Sequence, residues 1–386
     1  MKKASFLFLV MLLIAACVDR LAIDGVAQEE GTLVVDGLIT DAPGPYQVRL
    51  FRASVSDAIL NNAKPVFAKE VSIFDDLGNS EVLNYIEEGL YETAPDGIRG
   101  EPGRKYGVRI KLLDGTDYES QLDEMNPVGS IDSLYYEWEA YKPLKGSPEY
   151  GFRIFANTRG NNPGAHLRWR FSGTYVLETF PQFRRLNDAN CGSTPPPPDP
   201  PPCSGWVYNL AVPGNRFAGG SLEYVGECSC CICWITQQEK KPTLSEDVVV
   251  TDGTFANIEV GYVSFDQWTF GKRKYMVKVE QMSLSPTAYD FWQVFKDQKE
   301  GSSSLFQPAF GRTTTNLYST NSDNAVMGIF YAAAIRTKVM FLTADDAKVV
   351  VPPYDIEPKE NCVLWSDCQR LSAFPNGLAY PPPEWE

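Results

Sequence analysis

Between Lys105 and Leu112 the chain alternates strictly. Tyr106, Val108, Ile110 and Leu112 fall on one side of an extended segment, with Lys105, Arg109 and Lys111 on the other, the period-two pattern of a half-buried strand. Asp114-Gly115 follows and turns the chain toward Tyr118, a hairpin signal. The same texture runs from Gly31 onward. Thr32–Thr40 and Tyr46–Arg52 flank the turn residues Asp41-Ala-Pro-Gly-Pro45, and Glu70–Asp75, Val82–Tyr85 and Leu90–Thr93 add short strands. About seven strands with turns between them predict an immunoglobulin-like β-sandwich over residues 31–127.

Residues 128–386 predict a larger β-rich domain. Tyr150–Asn157, Leu167–Thr179, Trp206–Leu210, Val248–Val250, Ile258–Phe265 and Tyr275–Met282 read as strands. One amphipathic helix is expected near 286–300. Ser285 serves as its cap, Pro286 as its first residue and Gly301 as its stop, while Ala288, Phe291, Trp292 and Phe295 make a stripe that packs on a sheet. Residues 194–203 form a proline-rich loop between Cys191 and Cys203, which a bridge between those two would close. Trp385, in the extended tail Tyr380-Pro-Pro-Pro-Glu-Trp-Glu386, is a candidate docking residue.

Residues 1–16 have the layout of a leader. Lys2 and Lys3 precede the apolar run Phe6–Ile14, too short to span a bilayer, and small residues follow. Ile14-Ala15-Ala16-Cys17 resembles the lipobox of bacterial lipoproteins, which makes Cys17 an acylated N-terminus and residues 17–30 a polar tether. Cleavage would take the formal charge from −14 to −16 by removing Lys2 and Lys3. So acidic a chain, without a basic block, is a poor nucleic-acid binder.

The other eight cysteines are Cys191, Cys203, Cys228, Cys230, Cys231, Cys233, Cys362 and Cys368. In an exported protein an even set reads as up to four disulfides. The competing reading is a metal site, because Cys228-Ser-Cys-Cys-Ile-Cys233 packs four thiols into six residues. Zinc ligands are usually spaced Cys-x-x-Cys. On an extended strand Cys228 and Cys230 would face one side, Cys231 and Cys233 the other, an arrangement better suited to bridges with different neighbours.

Catalytic signatures are missing from the sequence. His166 is the single histidine, in a loop-like Asn161-Asn-Pro-Gly-Ala-His166, and no Gly-x-Ser-x-Gly elbow accompanies it. Paired-histidine metal sites are therefore impossible. No phosphate loop or calcium loop is found, and no spacing singles out a carboxylate pair. No cofactor or metal is expected.

Several segments together carry a family resemblance. They are Leu33-Val-Val-Asp-Gly-Leu-Ile-Thr-Asp41, Gly89-Leu-Tyr91, Ile131-Asp-Ser-Leu-Tyr135, Cys233-Trp-Ile-Thr236, Tyr289-Asp-Phe-Trp292 with Gly301–Phe306, and Val326-Met-Gly-Ile-Phe330. In this order the chain resembles the Bacteroidota lipoproteins of domain of unknown function 4249, from about Leu33 to Leu342. The proline-rich loop and the cysteine cluster depart from that pattern. The resemblance implies an outer-membrane lipoprotein in organisms that often encode such proteins beside TonB-dependent transporters. The expectation is a lipid-anchored binding or accessory protein, leaning to the cell surface, that assists TonB-dependent uptake and is not an enzyme. The alternatives are a structural or adhesive surface lipoprotein that binds a macromolecule and, third, a glycan-active enzyme.

Replacing Cys17 tests the anchor. Cys17→Ser is expected to leave the fold intact and to move the protein from the membrane to the soluble fraction. Retention on membranes through a high-salt wash would overturn the assignment.

Overall fold

The computed structural model describes residues 31–52, 64–141, 149–179, 200–215, 220–245, 250–266, 268–271, 274–301, 315–349 and 377–385. The leader, the tether with Cys17, positions 194–199 of the proline-rich loop, Cys191, Cys362 and Cys368 lie outside these residues. The described chain is mainly β, with several sheets and one α-helix, α1 (Pro286–Gly301).

The largest sheet runs in the order Ile232–Gln238, Leu167–Glu178, Lys274–Ser283, Val326–Thr343, Leu33–Thr40, Gln47–Arg52, Leu90–Glu92 and Asn84–Glu87. A second sheet is ordered Leu317–Ser319, Asp117–Ser120, Lys105–Leu112, Ala68–Asp75 and Ser80–Val82. A third is ordered Ser130–Tyr141, Glu149–Arg159, Thr254–Ser264 and Val250–Thr251. Most of the alternating segments are strands, but Val82–Tyr85 is divided between Ser80–Val82 and Asn84–Glu87 in different sheets, and positions 248–249 lie outside the described residues. In Lys105–Leu112 the residues Tyr106, Val108, Ile110 and Leu112 are buried as expected.

Three packed clusters hold these sheets together. Leu33, Val35, Val48 and Leu50 of the first sheet meet Val71, Ile73, Val108 and Ile110 of the second. Trp169, Phe171, Tyr175 and Val277 of the first meet Phe152, Ile154, Phe255 and Val260 of the third. The third cluster joins the outer face of the first sheet to α1, through Met282, Leu284, Ile329, Tyr331 and Ala333 on the sheet and Ala288 and Tyr289 on the helix. The helix begins as its sequence predicts. Ser285 Oγ accepts the Ala288 N–H at 3.1 Å, satisfying one of the first-turn donors that a helix cannot pair internally.

Val326–Thr343 is the strand common to all three clusters. Its even residues Val326, Phe330, Ala332 and Ala334 enter the first, Leu342 enters the second, and its odd residues Ile329, Tyr331, Ala333 and Ile335 enter the third. Residues 31–127 consequently do not complete their own core. Leu317, Val326 and Phe330 pack inside it, from beyond the boundary expected at 127.

The first half of this strand pairs in parallel with Leu33–Thr40, and the second half pairs antiparallel with Lys274–Ser283 on its other edge. Each half thus has one edge without a strand neighbour in the ladder. Side chains supply the missing partners. Asn316 Nδ2 donates to the Phe330 carbonyl at 2.6 Å and its Oδ1 accepts the Phe330 N–H at 3.2 Å. Asp123 Oδ2 accepts the Ala332 N–H at 2.9 Å, and Asp41 Oδ1 accepts the Ile335 N–H at 2.7 Å. Gly37 lets the sheet close tightly here, because a Cβ at that position would lie 2.7 Å from the Phe330 ring.

Asn316 is buried, so its removal strands two backbone groups at once. Asn316→Ala is expected to destabilise the protein by about 2–4 kcal/mol, since each buried unpaired group costs about 1–3 kcal/mol. Asn321→Ala, which removes exposed contacts to Asp117 and Gly115, should cost clearly less. Denaturant unfolding of both variants checks the difference, and equal costs would refute the strand-surrogate role.

Candidate functional site

The cysteine cluster lies at the foot of a projecting arm. Pro202–Ser204 forms a single 3-10 turn, closed by Gly205 in the left-handed region at φ 72°. A side chain there would also collide with the Gly226 carbonyl. The chain then runs out along Trp206–Leu210 and returns along Gly220–Tyr224, with Trp206 opposite Tyr224 and Leu210 opposite Gly220. Val225 N–H donates to the Gly205 carbonyl at 2.8 Å, and Ser229 N–H to the Cys203 carbonyl at 2.9 Å, closing the base.

This ribbon has two unlike faces. Trp206, Tyr208 and Leu210 share one face with Leu222 and Tyr224, while Asn209, Ser221 and Glu223 take the other with Val207. On the apolar face Trp206, Tyr208, Leu210 and Leu222 are half-buried and Tyr224 is 59 % exposed. Val212 and Val225 beside the ribbon are exposed too. Trp206 and Tyr224 stand edge to face with centroids 5.3 Å apart, which stiffens the root of this surface.

A two-stranded ribbon is marginal by itself in water. Disulfides offset this. Cys203 is bonded to Cys230 across 27 residues, and Cys228 to Cys231 across 3. In the chain-entropy model the longer closure stabilises by about 3–4 kcal/mol. Cys233 is likewise disulfide-bonded, so the described cysteines offer no thiolate to a metal. It stands buried in Ile232–Gln238, opposite Leu177 in the largest sheet, and fixes the foot of the arm to the fold.

Two sequence expectations need correction here. Residues 228–231 are not an extended strand but a bend, which lets Cys228 reach Cys231 across three residues. Cys203 pairs with Cys230, not with Cys191, because the 3-10 turn sets it against the base of the returning strand. The returning strand Gly220–Tyr224 was also not foreseen. Its alternation is diluted by Ser221 and Glu223, although Leu222 and Tyr224 carry a trace of it.

Other polar groups are consumed by the fold. His166 stacks on Tyr289 at 4.5 Å, and its carbonyl accepts the Leu284 N–H at 2.8 Å. A shallow cleft of about 370 Å³ is lined by Asp75, Glu81, Arg99, Arg104 and Tyr106 among others. There Asp75 accepts both N–H groups of Leu77 and Asn79 and meets Arg104 at 2.7 Å. Burial works against its charge, but the Asn79 and Leu77 hydrogen bonds and Arg104 together hold its carboxyl below the usual range. Glu81 accepts the Ala94 N–H at 2.7 Å and the Ile98 N–H at 2.5 Å. Arg168 is buried against Glu239, with its guanidinium 3.5 Å from the Trp292 ring centroid. These groups brace loops and the helix.

The fold and this site define a mainly β protein that carries a disulfide-stapled apolar arm on the edge of its largest sheet. Residues 18–339 match the model of a domain of unknown function, DUF4249, and the chain belongs to that family. No curated protein and no solved structure matches it. Among the described residues no helix is long and apolar enough to cross a membrane.

Joint replacement of Cys203 and Cys230 by serine is expected to loosen the arm selectively. Amide exchange should quicken across 206–210 and 220–224 while Phe171–Tyr175 in the central sheet keeps its protection. Unchanged protection in the arm would mean that the staple is dispensable.

Proposed function

We propose that the protein is a lipid-anchored binding or accessory protein of the outer membrane, which holds a partner and has no chemical step of its own. The observation that carries this reading is the apolar face Trp206, Tyr208, Leu210, Leu222 and Tyr224, stapled by a disulfide at its base and only half covered, with Tyr224, Val212 and Val225 exposed beside it. Partly exposed aromatic clusters of this kind suit interaction sites, where aromatic anchors dominate the energetics. Acylation at Cys17 would confine the arm to the plane of the membrane and raise its effective concentration beside an embedded partner. A TonB-dependent transporter is the partner class that the family resemblance favours.

Solubilisation in mild detergent tests the proposal. A membrane-embedded transporter should copurify with the parent protein and be lost with the joint variant Leu222→Asp and Tyr224→Ser, whose sheets stay folded. Cells making the variant should also take up some nutrient more slowly. Turnover of a glycan by the purified protein, abolished by replacing one Asp or Glu, would defeat this reading.

A further inference from the structure

The outer face of the largest sheet is covered by α1 at one end and by the segment 377–385 at the other. Trp234, in the edge strand Ile232–Gln238, exchanges two backbone hydrogen bonds with Leu378, at 2.9 and 3.0 Å. Further along the segment, Lys278 Nζ meets Glu384 Oε1 at 2.6 Å and Lys274 Nζ donates to the Trp385 carbonyl at 2.8 Å. The Lys274 ammonium also lies 4.2 Å from the Phe341 ring centroid and 4.9 Å from that of Trp385. Phe341 meets Trp385 edge to face at 6.1 Å. Phe341 pairs in register with Met276, midway between the two lysines, so these three side chains share one face.

We propose that this strip is a peptide-binding groove that holds segment 377–385 in cis as a strap. In its place the groove takes a proline-rich segment that pairs its backbone with Trp234 and then turns to present a carboxylate beside an aromatic side chain. The proposal stands independently of the arm and of the accessory role.

Three observations carry it. The recognition elements are those of a ligand site: an open strand edge for backbone pairing, two ammonium groups for a carboxylate and a carbonyl, and a ring beside a cation for an aromatic side chain. Pro381-Pro382-Pro383 restricts the free segment before Pro383–Trp385 closes as a single 3-10 turn, so little conformational entropy is lost on docking. The occupant also uses the groove incompletely. Leu378 is 50 % exposed and Tyr380 is 80 % exposed, so the middle of the strap docks through backbone only. The buried indole N–H of Trp234 finds no acceptor among the described residues with the strap in place, a donor left to a ligand with an acceptor at that position.

The strap belongs to the same chain, so its effective local concentration sets the threshold that a ligand in trans must exceed. The groove therefore admits only ligands that do more with it than Leu378 and Tyr380 do.

The test uses a chain that stops at residue 376 and a dye-labelled synthetic peptide of residues 377–386. The shortened chain should bind the peptide saturably, and the full chain at least about tenfold more weakly because its own strap competes. Lys278→Glu in the shortened chain should weaken binding about tenfold, and a peptide carrying Glu384→Lys should restore it. The proposal is overturned if the shortened chain unfolds normally on heating yet does not bind the peptide. It is equally overturned if the full chain binds as well as the shortened one, or if the charge reversal has no effect. Should the shortened chain fail to fold, the full chain carrying Glu384→Lys and Trp385→Ala replaces it. Its weakened strap should yield to the same peptide, with slowed amide exchange at Trp234, and failure to do so would also overturn the proposal.

Discussion

The architecture hangs on keeping Val326–Thr343 hydrogen-bonded where its edges change partner. A buried strand cannot leave N–H and C=O groups unmatched, since each costs as much as a lost hydrogen bond or more. Asp123 is the most connected of the surrogates. One oxygen accepts the Ala332 N–H and the other the Ser285 hydroxyl at 2.5 Å, while Ser285 in turn caps α1. A single carboxyl therefore ties the second sheet to the central strand and to the helix N-terminus. Burial raises the Asp123 carboxyl above its ordinary value, only partly opposed by the Ala332 and Ser285 hydrogen bonds. The folded state thus holds this proton at pH values where the unfolded chain has released it. Its contribution to stability is largest below the ordinary carboxylate value and declines as pH rises through the raised one.

Edge exposure is the second constraint. The largest sheet ends at Ile232–Gln238, and an open edge invites pairing with other chains. The protein blunts this edge twice. The stapled arm rises from its start, and Leu378 takes the backbone groups of Trp234. At the other end of the same sheet Asn84–Glu87 is exposed along its length, but it is short and carries Glu87 beside Glu88, which discourages further strand addition. The outer face is treated similarly, with Tyr331, Ala333 and Ile335 under α1 and Phe341 under Trp385. Polar pairs such as Arg170–Glu280, at 2.7 Å, lie on the same face of the strand as Lys278.

What was legible in the sequence follows from how each element is covered. Strands with one wet face kept their alternation, so Leu33–Thr40, Gln47–Arg52 and Lys105–Leu112 could be read with their inward residues. The helix was legible from Ser285, Pro286 and its aromatic stripe, and Trp385 does dock, on its own chain. The central strand was not legible. Both of its faces are buried, so residues 329–335 form a continuous apolar run without alternation. Ala332-Ala333-Ala334 favours helix by propensity as well. Its parallel pairing to Leu33–Thr40 spans nearly the whole chain, which no local pattern encodes. Ser130–Tyr141 was missed differently. Leu134, Tyr136 and Trp138 do alternate toward the second cluster, but a bulge between Ile131 and Ser133 puts Ile131 out of phase with them. Disulfide chemistry was readable from cysteine number, but the pairing depended on a bend and a 3-10 turn that spacing does not reveal.

Arm and strap share a footing. Cys233 and Trp234 are consecutive in one edge strand, and consecutive residues of a strand point to opposite faces. Cys233 points into the core shared with the third sheet and fixes the foot of the arm. The backbone of Trp234 carries the strap on the sheet's open edge. Anything that shifts the register or tilt of Ile232–Gln238 must therefore move both, whereas the seven ladder pairs from Glu178–Ile232 to Ser172–Gln238 hold that strand to the central sheet. The two proposed surfaces are joined at adjacent residues and chemically distinct. One presents apolar side chains on a stapled ribbon, the other a cationic, aromatic strip under segment 377–385. A partner that filled both would gain from their fixed spacing, because the second contact is made at the high local concentration set by the first.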